Sequence, residues 1–315
     1  MITPIDNGYF QNFQGHDRFD VPEPVYRVTA GMGGESYLII GSEKTALHDT
    51  GMACFSSGLI SNIHEVLDPL GKTLDYIFMS HTHYDHIGAL PYVLKEWPDA
   101  VVCGAEKCES VFRSEGALRT MAELGNKARE LYGADCDEIT SQGMRVDRTL
   151  NEGEVIGLGD VRVQFFEAKG HTDCSALYMV LPKKILFANE SMAQLKGPGE
   201  IGTSPLKSFN QTIESAKKAQ ALEPEYIIAM HYGLVPEEYK EQFFTDYIDE
   251  AEWERDMILR GLRNGLSDQE ISDIHDMIYW NEGRALNQPY DAYHLNTMII
   301  IRRVRKAVEE GRTDY

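Results

Sequence analysis

The 315-residue chain is poor in several features that would settle its class at once. It has five cysteines, Cys54, Cys103, Cys108, Cys136 and Cys174, an odd number with no CxxC pair. That argues against a disulfide framework and a cysteine-based zinc site, and fits reduced thiols that mostly serve as small core residues. Long apolar runs are missing as well. Stretches such as Tyr226–Met230 fall far short of the roughly 20 residues that cross a bilayer. Positive charge is scarce, with 30 Lys and Arg against 50 Asp and Glu and a net charge of -20. Such a surface repels phosphate backbones and anionic headgroups, which argues against nucleic-acid and membrane partners. Residues 1–20 lack a basic start followed by an apolar stretch, so no secretory leader is expected and a cytoplasmic location is. There is no internal repeat and no low-complexity tract.

What is present is ordinary globular material. The hydrophobic fraction of 43% is enough for a sizeable core. The length suits one large domain with an appendage. The first half alternates strand and helix patterns. Val25–Ala30 and Ser36–Ile40 read as strands around the turn Gly31-Met32-Gly33-Gly34, and Lys44–His48 reads as a third. Ser57–Asp68 carries Leu59, Ile60, Ile63, Val66 and Leu67 at helical spacing and leads into a strand at Leu74–Met79. Gly88–Trp97 reads as a helix, Ala100–Cys103 as a strand, and Ala105–Tyr132 as a helical insertion or lid. Strand patterns return from Met144 to Val180, and Ile185–Ala188 and Tyr226–Ala229 are short runs of the buried-strand kind. Ser208–Gln220 is a helix between them. From Glu237 onward the pattern is helical. Ser267 with Glu270 forms a capping box, and a last helix starts near Tyr293.

Chemistry concentrates directly after the strand Leu74–Met79. The chain there reads Ser80-His81-Thr82-His83-Tyr84-Asp85-His86-Ile87-Gly88. Three imidazoles and a carboxylate within six positions offer the donors that zinc, iron and manganese accept. A tight turn can aim His81 and His83 at one ion and Asp85 and His86 at a second. Four polar side chains so placed are a poor core element, because each would need a buried partner. His171 and His231 each follow a strand-like run, where a site at a sheet edge would lie.

The run His81-x-His83-x-Asp85-His86 resembles the metallo-β-lactamase superfamily, and the resemblance extends over most of residues 20–235. Ala46-Leu47-His48-Asp49-Thr50-Gly51, Lys169-Gly170-His171-Thr172, Leu186-Phe187-Ala188-Asn189-Glu190 and Ala229-Met230-His231-Tyr232-Gly233 look like the family's further segments, in order. The resemblance implies an α/β fold, a four-layer αββα sandwich over residues 1–236, with a helical extension over 237–315 acting as lid or homodimer contact. It implies one metal held by His81, His83 and His171, a second by Asp85, His86 and His231, and Glu190 as the bridging acid where the family usually has Asp. The expected cofactors are two divalent ions, zinc first, with iron or manganese as alternatives.

The implied activity resembles that of the glyoxalase II/lactonase-like hydrolases. A metal-bound hydroxide would attack a small-molecule ester, lactone, thioester, amide or phosphodiester, with Asp85 as the catalytic residue that orients it and takes up its proton and Glu190 bridging the ions or assisting with that proton. Asp49 is expected to support the ligand loop, and Asp173-Cys174 stand where the family often has Pro-Gly. Tyr84 and Tyr232 adjoin ligands but suit packing, while Tyr290, Tyr293 and His294 are candidates for the pocket wall. An iron oxidoreductase of the same fold, and a non-catalytic ligand-binding relative, are the competing readings. The flavodiiron form would need a flavin domain that the sequence after the helical tail is not expected to hold.

Overall fold

The computed structural model describes residues 13–287 and 290–315. The leader reading of residues 1–20 falls largely outside them. Two six-stranded sheets form the centre. The first contains β1 (Val25–Arg27), β2 (Tyr37–Ile40), β3 (Thr45–His48), β4 (Tyr76–Phe78), β5 (Val101–Ala105) and β6 (Arg148–Leu150), in sequence order. Its first pairings are antiparallel, and β3 to β6 run parallel. The second contains β7 (Val155–Gly157), β8 (Arg162–Glu167), β9 (Ala176–Leu181) and β10 (Ile185–Ala188). A small hairpin, β11 (Gln194–Gly197) with β12 (Glu200–Gly202), follows. Then β13 (Tyr226–Ala229) and β14 (Gly233–Leu234) complete the second sheet in the order β14-β13-β10-β9-β8-β7. Within it β10 and β13 are parallel.

Side chains alternate across a strand, so each sheet has an inner and an outer face. Tyr37, His48 and Phe78 stand in register across β2, β3 and β4. They meet Phe187 and Tyr178, which are paired across β10 and β9. The His48 ring stacks on Phe187 at 4.3 Å, Tyr37 meets Phe187 at 5.5 Å, and Phe78 meets Tyr178 at 5.2 Å. These rings join the two sheets face to face. Burial pushes the His48 pKa down, so this imidazole acts as a neutral aromatic ring.

Helices cover both outer faces. The first sheet is covered by α1 (Ser56–Leu67), through Leu59, Ile63 and Leu67, and by α3 (Leu90–Glu96), which follows the single turn α2 (Tyr84–Ile87). The stretch expected as one helical insertion is two helices, α4 (Glu106–Phe112) and α5 (Glu115–Leu131), broken where Ser114 caps α5 by accepting from the Ala117 amide. On the second sheet, Leu177, Met179, Leu186, Ala188, Ile227 and Ala229 share one apolar cluster with α6 (Phe209–Ala221). The same cluster takes in α7 (Lys240–Arg263), α8 (Asp268–Tyr279) and, after α9 (Glu282–Asn287), α10 (Tyr290–Glu309). The result is the expected αββα arrangement with C-terminal helices. Both halves of the capping box form at Ser267 and Glu270. The hairpin β11–β12 was not anticipated, since Gln194-Leu195-Lys196-Gly197 is too short and too mixed to read as a strand.

Candidate metal centre

Every expected donor stands just past the C-terminal end of a strand. His81, His83, Asp85 and His86 follow β4, His171 follows β8, Glu190 follows β10 and His231 follows β13. The chain order of these strands is scattered, but all deliver their ends to one edge of the sandwich.

The structure brings all seven side chains together. One donor atom each from His81, His83 and His171 lies within 4.8 Å of the others, as do atoms of Asp85, His86 and His231, and of His81, His86 and Glu190. His171 Nε2 is 3.0 Å from His83 Nδ1. His86 Nε2 is 3.2 Å from His231 Nε2, and Asp85 Oδ2 is 3.6 Å from each of those nitrogens. Glu190 lies between the two groups. Its Oε1 is 2.6 Å from His86 Nε2 and 2.8 Å from His231 Nε2, while Oε2 is 3.7 Å from His81 Nδ1. The longer side chain that replaces the expected Asp therefore reaches both triads. His81 Nε2 and Glu190 Oε2 are buried polar atoms without hydrogen-bond partners among the described residues. Leaving such atoms unpaired is costly, and a cation among converging nitrogen and oxygen lone pairs removes that cost. The residues present fit a two-cation centre.

Supporting contacts fix the ring orientations. Asp49, fully buried, accepts from the Ser80 amide at 2.7 Å, the Ser80 hydroxyl at 2.5 Å and His86 Nδ1 at 3.0 Å. That turns His86 Nε2 towards the centre. His171 donates from Nδ1 to the Ser204 carbonyl at 2.7 Å, which likewise frees Nε2. Gly34 is needed for space. A Cβ there would sit 2.7 Å from His86 Nδ1 and 2.9 Å from the Asp85 carbonyl oxygen. Gly170 is needed for conformation, with φ at 126° and Thr212 packed where a side chain would go.

A family model described as the metallo-beta-lactamase superfamily matches residues 30–231. The chain belongs to this superfamily. Among its superfamily relatives is a metallo-beta-lactamase fold-containing protein of Sulfurisphaera tokodaii, 26% identical over 75% of this chain and 86% of that one. A solved archaeal superfamily structure from Sulfolobus tokodaii superimposes with a TM-score of 0.53 at 20% identity, covering 91% of this chain and all (100%) of that one, a likeness of fold. A UPF0173 metal-dependent hydrolase of Staphylothermus marinus is 25% identical over 72% of this chain and 88% of that one. The rubredoxin-oxygen oxidoreductase of Megalodesulfovibrio gigas is 29% identical over 50% of this chain, a match that spans only 33% of that protein.

Electrostatics divide this metallo-beta-lactamase centre into two halves. Burial holds His81 and His171 below the usual imidazole range and pulls His83 down to about 3, so these three rings are neutral donors. Burial acts in the same direction on His86, but Glu190, Asp85 and Asp49 outweigh it and raise its pKa well above normal. His231 is raised as well, because its bond to Glu190 outweighs burial. Burial would raise the carboxyl pKa values, yet His86 and His81 hold Glu190 well below its ordinary value and His86 and His231 lower Asp85. Two ionised carboxylates thus draw positive charge onto this side of the superfamily site, a charge that bound cations would supply.

The other candidates fall elsewhere in the superfamily fold. Cys174, 2% exposed, lies between Thr82 Oγ1 at 3.4 Å and Thr172 Oγ1 at 3.3 Å and belongs to none of the donor groups. Bonding from Cys108 lowers its pKa to about 6. Tyr232 is fully buried against Phe13, and Tyr84 packs in an apolar cluster with Tyr132 and Cys54. The polar contacts of Tyr290, Tyr293 and His294 run to Asp276, His275 and Ser272 of α8. Tyr293 ends a buried chain in which His275 bonds Glu254 at 3.0 Å and Glu254 accepts from the Thr203 hydroxyl. Thr203 precedes Ser204, so α7, α8 and α10 anchor the loop that orients His171. Nothing in the pattern around Thr203, Glu254 or His275 announced that connection.

Proposed function

We propose that the chain is a hydrolase of small-molecule esters, lactones, thioesters, amides or phosphodiesters that works with two divalent cations. His81, His83 and His171 would hold one, Asp85, His86 and His231 the other, and Glu190 would stand between them. Zinc suits the imidazole-rich first triad, and iron or manganese also suit the carboxylate-bearing second one. The observation that carries the reading is the position of Glu190, whose two oxygens face the separate triads. Bound divalent cations lower the pKa of water towards neutrality and polarise a carbonyl or phosphoryl oxygen.

The chain's own residues do the rest. Asp49 and the Ser204 carbonyl hold His86 and His171 with Nε2 directed inward. Asp85 stays ionised beside His86 and His231. In the proposed reaction this carboxylate, 3.6 Å from each of those rings, would orient an attacking water and take up its proton. The superfamily's hydrolase members support this reading, and the Staphylothermus marinus relative matches over most of both chains. Placement in the glyoxalase II/lactonase-like branch rests on the sequence resemblance.

The test is a panel of nitrophenyl esters, thioesters, lactones and bis-nitrophenyl phosphate with the full chain, before and after chelation and metal return, alongside metal analysis. Hydrolysis that disappears on chelation and returns with about two equivalents of zinc or manganese supports the proposal. Hydrolysis that survives chelation overturns it. The match to the rubredoxin-oxygen oxidoreductase supports a second reading, iron-dependent redox chemistry. Iron-loaded protein that consumes oxygen from a reductant and hydrolyses nothing would select that reading.

A further inference from the structure

We propose that the cleft between the β11–β12 hairpin and the helices α7, α8 and α9 binds a small zwitterion, separate from the metal centre. Its anionic end would rest on Lys196 and Arg284 and its cationic end on the acidic face of α7. The cleft has a volume of about 560 Å³, within the usual range for small-molecule sites.

The first observation is a pair of cations brought together. A Cβ on Gly202 would lie 3.0 Å from Lys196 Nζ and 3.4 Å from Arg284 Nη2, so both cationic heads crowd one glycine. Among the described residues neither side chain has a carboxylate within ion-pair distance, although both line the cleft. Arg284 instead lies over the Tyr293 ring at 5.1 Å. Two like charges at close quarters repel, and an anion between them turns that repulsion into two charge-assisted hydrogen bonds.

The second observation is the opposite wall. Asp246, Asp249, Glu250 and Trp253 recur along α7 at helical spacing and all line the cleft. Asp246 accepts from the Tyr239 hydroxyl and Glu250 from the Tyr279 hydroxyl, each at 2.5 Å, while Asp249 is exposed. Trp253 is 48% exposed and meets the Tyr279 ring edge-on at 6.2 Å. Carboxylates with aromatic faces beside them form a receptor for an ammonium group. A simple anion would be repelled by this wall and a simple cation by Lys196 and Arg284. A molecule carrying both charges at separate ends satisfies both.

Burial and Arg284 lower the Lys196 pKa to about 7, against the opposing pull of Glu200, Glu254 and Glu250. An anion at Nζ stabilises the protonated form, so binding near neutral pH takes up protons.

Isothermal titration of the full chain with ε-aminocaproate, caproate and hexylammonium tests the proposal. The zwitterion is expected to bind saturably and at least about tenfold more tightly than either singly charged analogue. In buffers of different ionisation enthalpy its heat should report proton uptake. Lys196→Met and Arg284→Gln should each weaken binding by about tenfold or more. Gly202→Ala keeps both charges but wedges them apart, and should weaken binding even where the other variants fold poorly. Absence of saturable binding overturns the proposal. So does equal binding of caproate, or affinity unchanged by Gly202→Ala and by whichever charge variants retain the native circular dichroism spectrum.

Discussion

Asp49→Asn changes one atom of a fully buried side chain that no substrate can touch, and it tests the logic of the proposed second cation site. The carboxylate accepts three hydrogen bonds, two from Ser80 and one from His86 Nδ1. An amide has one accepting oxygen and an NH2 that only donates. If its oxygen faces His86, the NH2 meets the Ser80 amide, donor against donor. If the oxygen stays with that amide, the NH2 meets His86 Nδ1. The ring must then give up its Nδ1 proton and carry it on Nε2, where the lone pair is needed. Loss of such a support typically weakens metal affinity 10- to 100-fold, equivalent to roughly 1.4–2.7 kcal/mol. Competition of zinc against a chromophoric chelator, fitted to two sites, reads the outcome. The expected result is a weakened second site, with the site of His81, His83 and His171 changed less than about threefold. Equal loss at both sites in folded protein, or no loss at all, would refute the reasoning.

The pKa directions give a second prediction. His86 and His231 hold protons above their ordinary range, while His81, His83 and His171 are already neutral. Cations at the Asp85 side must displace protons, so affinity there falls as pH drops through the raised pKa values, above about 6.5. The other triad keeps its affinity to lower pH. A pH-stat zinc titration near neutrality should show proton release with one equivalent and nearly none with the other. Gly34→Ala places a methyl group 2.7 Å from His86 Nδ1 beside the rigid Asp85 carbonyl. It should cost about 1–3 kcal/mol in denaturant unfolding and displace the second ion. Glu254→Gln disturbs the buried bonds to Thr203 and His275. About 1–3 kcal/mol of stability should be lost, and zinc affinity of the His171 triad should drop roughly tenfold, read by thermal melts and the chelator assay.

The sandwich and the first cluster of candidate donors were readable because their signals are local. Ile185–Ala188 and Tyr226–Ala229 are short apolar runs that matched β10 and β13 to the residue, and four potential donors crowd into residues 81–86. Boundaries elsewhere moved by a few residues, as at Val25–Ala30, where β1 stops at Arg27 before the glycine turn. Contacts that join distant segments left no such mark. The hydrogen bond from His171 is accepted by a backbone carbonyl, and any residue at position 204 offers one. Glu254 lies on α7 among other acids, with nothing in its spacing to distinguish it from Glu250 or Glu252. Lys196 and Arg284 meet only because an unanticipated hairpin folds towards α9.

The scattering of the donors across four strand ends also governs when a cation can be captured. An unfolded chain offers only the local run from His81 to His86 as a weak chelate, whereas His171, Glu190 and His231 come to it from strands of the second sheet. The complete donor set exists only in the finished fold, so a cation held by it would add stability mainly to the native state.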